Sequence, residues 1–129
     1  WPEILAQLDR EARGIDLDPG RVRADFLLAE VDGEVVGRVS IRYALTDFLQ
    51  RIGGHVGYAV GPEFRRRGYA TEILRQSLVR LRASGVDRVL VTCDDDNVGS
   101  ARTIEKCGGV LENVEDVAGG TPKRRYWIG

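Results

Sequence analysis

The stretch of sequence that decides the fold is Tyr58–Leu74, which reads YAVGPEFRRRGYATEIL. It predicts the end of a strand, a Gly-Pro loop, and the start of a helix, in that order. A helix N-terminus presents unpaired backbone N–H groups and the positive end of the helix dipole, so it is a natural phosphate site. Gly68 lets the backbone approach an anion closely. Three arginines directly before it are unfavourable for the helix itself, which favours an anionic ligand. The motif alone fits a solvated basic helix start equally well.

Periodicity predicts the elements on both sides of this stretch. Apolar residues spaced i, i+3, i+4, i+7 indicate helices, strict alternation indicates strands, and Asp32-Gly33 is typical of a hairpin turn. The order is α-β-β-β-α-β-α-β-β, which predicts an antiparallel meander followed by a right-handed parallel βαβ crossover in a mixed α+β domain. The predicted elements are helix Pro2–Arg13, strands Ala24–Val31, Glu34–Ala44 and His55–Val60, helix Arg67–Ser84, strand Arg88–Cys93, helix Val98–Cys107, and strands Val110–Val117 and Lys123–Ile128.

Composition excludes several classes of protein. The chain has 129 residues with 43% apolar and 30% charged residues, so we expect one folded domain rather than a disordered chain. No apolar run is long enough to span a bilayer, and a net charge of −1 argues against nucleic acid as a partner. Two cysteines and one histidine predict neither a disulfide framework nor a metal site. With no signal peptide visible, we expect a cytoplasmic protein.

The chain resembles a known family. The helix start lacks the Lys-Ser/Thr of a Walker loop and the GxGxxG of a dinucleotide fold. Arg65–Ala70 instead matches R-x-x-G-x-A, the pyrophosphate-binding signature of the GCN5-related N-acetyltransferases (GNAT). The segments RVLVTCDDDN and NVGSARTIEKCGGVLE follow in the family's order. The resemblance covers Phe26–Ile128. In detail the chain resembles a bacterial subgroup of predicted acetyltransferases, with GGHVGY, RRRGYAT and RYW in this order.

This resemblance implies the fold and the cofactor. The expected fold is the GNAT acyl-CoA N-acyltransferase fold: a central mixed, mostly antiparallel sheet, a parallel strand pair splayed around the cofactor, and helices on both faces. Residues 1–14 resemble the second helix of that fold, so its first strand and helix are expected to be missing from a single domain of residues 1–129. The cofactor is acetyl-CoA. Its implied contacts are Tyr58, Ala59 and Val60 with the pantetheine arm; Arg65, Arg66, Arg67, Gly68, Tyr69, Ala70 and Thr71 with the pyrophosphate; Asn97 with the arm; and Ser100 and Arg102 with the nucleotide end.

Catalysis needs a base for the acceptor amine and a donor for the departing thiolate. The family's base lies near the start of the third core strand, where His55 is the only histidine; the alternative is a structural His55 bonded to a loop carbonyl. The family's donor is a tyrosine at the position of Ile104. Ser100, Tyr126 or water could replace it, or the thiolate leaves unaided.

The resemblance therefore predicts an acetyl-CoA-dependent N-acetyltransferase that acts by direct transfer in a ternary complex. The expected acceptor is a primary amine on a small molecule or peptide, with neither nucleic acid nor membrane as a partner. Pairing of two copies through the last strands stays open. The alternative is a catalytically weak acyl-CoA-binding module with a sensing or structural role.

Overall fold

A computed structural model describes residues 3–7 and 23–129 of the chain. Within these residues, short helical turns at Leu49–Gly53 (a π-helical turn) and Pro62–Phe64 (a 3₁₀ turn) accompany the strands and helices. None of the described helices is both long and apolar enough to cross a membrane. The elements are β1 (Leu5–Gln7), β2 (Ala24–Val31), β3 (Glu34–Arg42), β4 (Val56–Val60), α1 (Tyr69–Ala83), β5 (Val89–Asp94), α2 (Val98–Lys106), β6 (Val110–Glu115) and β7 (Lys123–Ile128).

The described strands form one mixed sheet in the order β1-β2-β3-β4-β5-β7-β6. Neighbouring strands are antiparallel except β4 and β5, which α1 connects as a parallel pair. The hairpin between β2 and β3 turns at Asp32 and Gly33, both with positive φ, as the Asp-Gly signal predicts. The predicted mixed sheet and its parallel crossover are confirmed.

Helices α1 and α2 pack on one face of the sheet around a single apolar core. The predicted stripe of α1 is buried, with Ile73 and Leu81 fully inaccessible to solvent. Each such side chain contributes about 1.5–3 kcal/mol to folding. Gly85 ends α1 with φ +91°. Here the N–H of Val86 bonds to the Leu81 carbonyl, as in a Schellman motif.

The largest difference from the sequence-based prediction is at the N-terminus. The helix predicted at Pro2–Arg13 is wrong at Leu5–Gln7, because these residues pair antiparallel with β2 as strand β1. Glu3 and Ile4 are not helical either. The rest of the predicted helix lies outside the described residues. Strand pairing prevails because Ile4 is fixed on both sides: its carbonyl accepts from Glu30 N–H and its N–H donates to Gln76. Three residues are too few for periodicity to separate a strand from a helix.

Smaller differences concern where elements end. The strand predicted for Glu34–Ala44 stops at Arg42, and the predicted connection Leu45–Gly54 contains the π-helical turn. Helix α1 begins at Tyr69 rather than Arg67, because Gly68 has φ +83° and cannot be part of the helix. The helix start is therefore the residue directly after the glycine.

Candidate functional site: the opening between two parallel strands

Strands β4 and β5 pair at a single position and then separate. Val56 lies opposite Val91, and no further pair joins the two strands among the described residues. The other edge of β4 is paired with β3 along its whole length, up to Val60. The bonds of Arg42 N–H to the His55 carbonyl and of Gly61 N–H to the Val36 carbonyl show which residues of β4 bond to β3. By alternation, the backbone groups of Gly57 and Ala59 point to β3, and those of Tyr58 and Val60 face the space between β4 and β5. Such an unpaired strand edge is a template for strand addition.

Helix α1 begins beside this opening with the geometry of an anion site. Gly68 is the N-cap and has φ +83°, a left-handed conformation that glycine adopts without cost. Arg66 also has a positive φ, of +63°, which is uncommon for a residue with a side chain and is typical of functional sites. The first-turn N–H groups of the helix face outward from its start.

The arginines before the helix are exposed. None of Arg65, Arg66 and Arg67 belongs to an ion pair in the part of the chain that the structure describes. The Arg67 guanidinium lies over the Phe64 ring, 5.9 Å from its centroid. The positive charge at this helix start is thus available to an incoming anion.

Helix α2 closes the opening from the face that carries the core. Asn97 is its N-cap, as predicted, and the Asn97 Oδ1 accepts from the Ser100 N–H at 3.0 Å. The cap occupies the oxygen of this side chain and leaves its Nδ2 donors for a ligand. Arg102 is exposed on α2, where the resemblance places a contact with the nucleotide end.

The structure brings Ser100 to Tyr58. The Tyr58 Oη and the Ser100 Oγ are 3.0 Å apart, although 42 residues separate them in the chain. Burial raises the pKa of Tyr58, so its phenol is protonated at neutral pH. From the sequence, only the Tyr58 backbone is predicted to contact the cofactor, because nothing local to β4 shows that a hydroxyl from α2 meets this phenol.

The structure gives His55 a place in the sheet. Its backbone N–H donates to the Leu90 carbonyl at 2.7 Å, and its Nδ1 accepts from the Leu90 N–H at 2.9 Å. A neutral ring whose Nδ1 accepts carries its proton on Nε2 and has no lone pair left for a second proton. Burial lowers the pKa of His55, which favours this neutral form. The partner is a strand N–H rather than the loop carbonyl of the structural alternative.

Tyr126 and Ile104 lie in the core. Tyr126 is 1% exposed, and its Oη donates to the Glu105 Oε2 at 2.8 Å. Ile104 has an aliphatic side chain and is fully buried, so its position offers no proton donor to the opening. Of the two hydroxyls predicted to replace the family's tyrosine, the structure pairs Ser100 with Tyr58 and Tyr126 with a carboxylate.

The π-helical turn lies against the opposite face of the sheet. Thr92 alternates with the core-facing Val91 and Cys93, and its Oγ1 donates to the Ile52 carbonyl in the turn. Arg42 donates to the Gly53 carbonyl at 2.9 Å, and Arg125 to the Gln50 carbonyl at 2.9 Å. Three strands therefore fix this turn beside the opening, away from the helices.

An open strand edge lies next to a helix start that Gly68 caps and exposed arginines precede, which is the arrangement that a cofactor with both amides and phosphates would need. The acyl-CoA N-acyltransferases are a class of protein that uses such a cofactor. A family model described as "Acetyltransferase (GNAT) domain" matches residues 1–110, and the chain belongs to this family.

Individual relatives agree with this assignment. The chain is similar to the uncharacterized N-acetyltransferase YjdG of Bacillus subtilis (strain 168), with 37% identity over 75 residues, or 57% of this chain and 40% of YjdG. It is similar in structure to the microcin C7 self-immunity acetyltransferase MccE, determined with acetyl-CoA and AMP, at 25% identity and a TM-score of 0.63 over 81% of this chain and 59% of MccE. A Bacillus subtilis acetyltransferase determined with CoA shares the fold at 13% identity and a TM-score of 0.65, over 81% of this chain and 76% of that protein. The chain thus spans less than two thirds of YjdG and of MccE.

Proposed function

We propose that this chain binds acetyl-CoA and transfers the acetyl group directly to a primary amine in a ternary complex. The observation that carries the proposal is the unpaired edge of β4 beside the start of α1, which Gly68 caps. The acceptor belongs to the class of small-molecule or peptide amines, as a polyamine does; SpeG of Vibrio cholerae, a spermidine/spermine N-acetyltransferase, shares the fold at 18% identity and a TM-score of 0.64.

The helix start fits the pyrophosphate. The N–H groups of Arg66–Thr71 would bind it, and the exposed arginines would neutralise its charge. A side chain at position 68 would occupy the space that the diphosphate needs, and its left-handed φ favours glycine. The Arg102 side chain would bind at the nucleotide end from α2.

The strand edge fits the pantetheine arm. The arm contains two amides in an extended chain, so it can add to β4 as a further strand and bond to the backbone of Tyr58 and Val60. Ala59, which the resemblance also implies, would contact the arm without backbone bonds, because its N–H and C=O point to β3. The Nδ2 of Asn97 would bind the arm from α2. A β4 backbone N–H would also stabilise the charge that develops on the thioester oxygen.

We assign a structural role to His55 and proton removal from the amine to water. The bonds between His55 and Leu90 hold β4 and β5 together directly before they separate. Acetyl-CoA supplies an activated acetyl group, and the chain supplies its position and the hydrogen-bond donors around it.

The test is calorimetric titration with acetyl-CoA, followed by measurement of free-thiol release over a panel of amines. Saturable binding together with amine-dependent thiol release supports the transferase. Saturable binding with no release by any amine supports the alternative, a weakly active acyl-CoA-binding module, which isoleucine at position 104 in place of the family's tyrosine favours. Absence of acetyl-CoA binding would refute both.

A further inference from the structure

Three side chains line the face of the opening that is turned to the core: Tyr58 on β4, Cys93 on β5 and Ser100 on α2. Tyr58 and Cys93 each lie two residues beyond the pairing point of Val56 and Val91, so their side chains share the face that α2 covers. Ser100 on α2 contacts both: its Oγ is 3.0 Å from the Tyr58 Oη, and its side chain hydrogen-bonds to the Cys93 thiol. The two hydroxyls and a thiol therefore meet where the strands begin to separate.

We propose, given the acetyl-CoA function above, that the Tyr58 hydroxyl donates the proton that the departing CoA sulphur needs, with Ser100 as its relay. An arm that adds to β4 from the nucleotide end brings its thiol terminus toward the pairing point of the strands. Tyr58 is the residue of β4 whose side chain carries a hydroxyl on that stretch. It supplies from a strand what the Ile104 position on α2 lacks.

The amine nitrogen forms its bond to the acetyl carbon, the C–S bond breaks, and its electron pair goes to sulphur. Tyr58 gives its Oη proton to that sulphur and regains one from Ser100. Ser100 in turn takes a proton from water, which has received the proton that the amine loses. The products are the amide and the CoA thiol, with no net change at either side chain.

The surroundings favour a donor over a nucleophile. Burial raises the pKa of Tyr58 and that of Cys93, so both stay protonated at neutral pH. Cys93 is 8% exposed, and a thiol kept neutral is a poor nucleophile. Direct transfer with a phenol as acid therefore fits these groups better than an acyl-cysteine intermediate.

The test compares CoA with desulfo-CoA, which lacks the sulphur, in calorimetric titrations of the full chain at pH 8.5. Tyr58→Phe should weaken CoA binding about three- to tenfold through loss of one hydrogen bond to sulphur, and leave desulfo-CoA binding unchanged. Thiol release from acetyl-CoA should fall about a hundredfold or more. The matched control is Tyr43→Phe, because the Tyr43 hydroxyl donates to Asp25 away from the opening.

Ser100→Ala provides a second variant. If the two hydroxyls act as one unit, the double variant should lose little more thiol-release activity than Tyr58→Phe alone. Equal losses for CoA and desulfo-CoA in Tyr58→Phe would overturn the proposal, since Tyr58 would then only shape the opening. Unchanged binding and thiol release would overturn it as well. Failure of the wild-type chain to bind even desulfo-CoA would instead refute the proposed cofactor.

Discussion

Replacing Gly68 with glutamate tests the helix start as the diphosphate site. The substitution places a carboxylate beside the N–H groups of Arg66–Thr71, where it occupies the anion's position and repels its charge. Loss of two charge-assisted hydrogen bonds, each about 1.5–3 kcal/mol, predicts a loss of about 3 kcal/mol or more. That corresponds to an increase of about a hundredfold or more in the Kd for acetyl-CoA.

The chain offers a matched control at the other end of the same helix. Gly85 has φ +91°, close to the +83° of Gly68. A side chain at either position costs about 1–2 kcal/mol of folding free energy, because both require a left-handed backbone. Gly85→Glu should therefore destabilise the fold to a comparable extent without affecting the cofactor.

The assay is calorimetric titration with acetyl-CoA, and thermal unfolding checks that each variant is folded. We expect both variants to have lowered Tm values and only Gly68→Glu to lose binding. An unchanged Kd in folded Gly68→Glu would refute the assignment of the site. Equal losses of affinity in both variants would show that the effect comes from destabilisation of α1.

Three further predictions concern charge and pH. Arg66→Gln should weaken CoA binding about two- to tenfold at low salt and less at high salt. Arg82→Gln, at the far end of α1, is the control. Equal losses of CoA affinity in both variants would contradict a local anion site. Because burial lowers the pKa of His55, the folded state binds fewer protons than the unfolded state, and the free energy of unfolding should fall as the pH drops below 6.5. His55→Gln should remove this pH dependence, as measured by urea unfolding at pH 5–7. If the free energy of unfolding of the variant changes with pH as in the wild type, the role of His55 is refuted. Arg75 lowers the pKa of the buried Glu72, so the free energy of unfolding should fall further as the pH drops below about 4.5. Glu72→Gln should abolish this further fall and reduce the free energy of unfolding at pH 7 by about 1–3 kcal/mol. An unchanged pH dependence below 4.5 in Glu72→Gln would contradict the role of this pair.

Local sequence signals predict most of the sheet and both helices. Strands Ala24–Val31 and Lys123–Ile128 have the predicted bounds, since alternation and turn residues mark both ends. The Asn97 cap and the Gly85 stop are likewise local chemistry that can be read within four residues. Strand β1 is different: it exists because Leu5 and Ala29 meet across the sheet, and nothing within residues 1–14 encodes that pairing.

In the candidate site, too, local features can be predicted from the sequence and contacts between distant residues cannot. The helix start at Gly68 is visible in sequence because glycine, arginines and helix periodicity lie together. The pairing of Tyr58 with Ser100, and that of His55 with Leu90, joins residues 42 and 35 positions apart. Only the crossover that makes β4 and β5 parallel brings them into contact. The family resemblance predicts a contact of the Tyr58 backbone with the cofactor, whereas the Ser100 partner of its hydroxyl is visible only in the folded chain.

The single pairing of Val56 with Val91 lies between a residue that stabilises the sheet, His55, and a residue on the open strand edge, Tyr58. Directly before it, His55 bonds to β5 through its backbone N–H and its ring Nδ1. Two residues after it, Tyr58 is on a strand edge that β5 no longer reaches. Strand separation would be costly if it left buried backbone groups unpaired, and a cofactor arm that carries amides satisfies them when bound. Substitutions at His55 should therefore mainly lower the free energy of unfolding, and those at Tyr58 should mainly weaken the binding of CoA relative to desulfo-CoA.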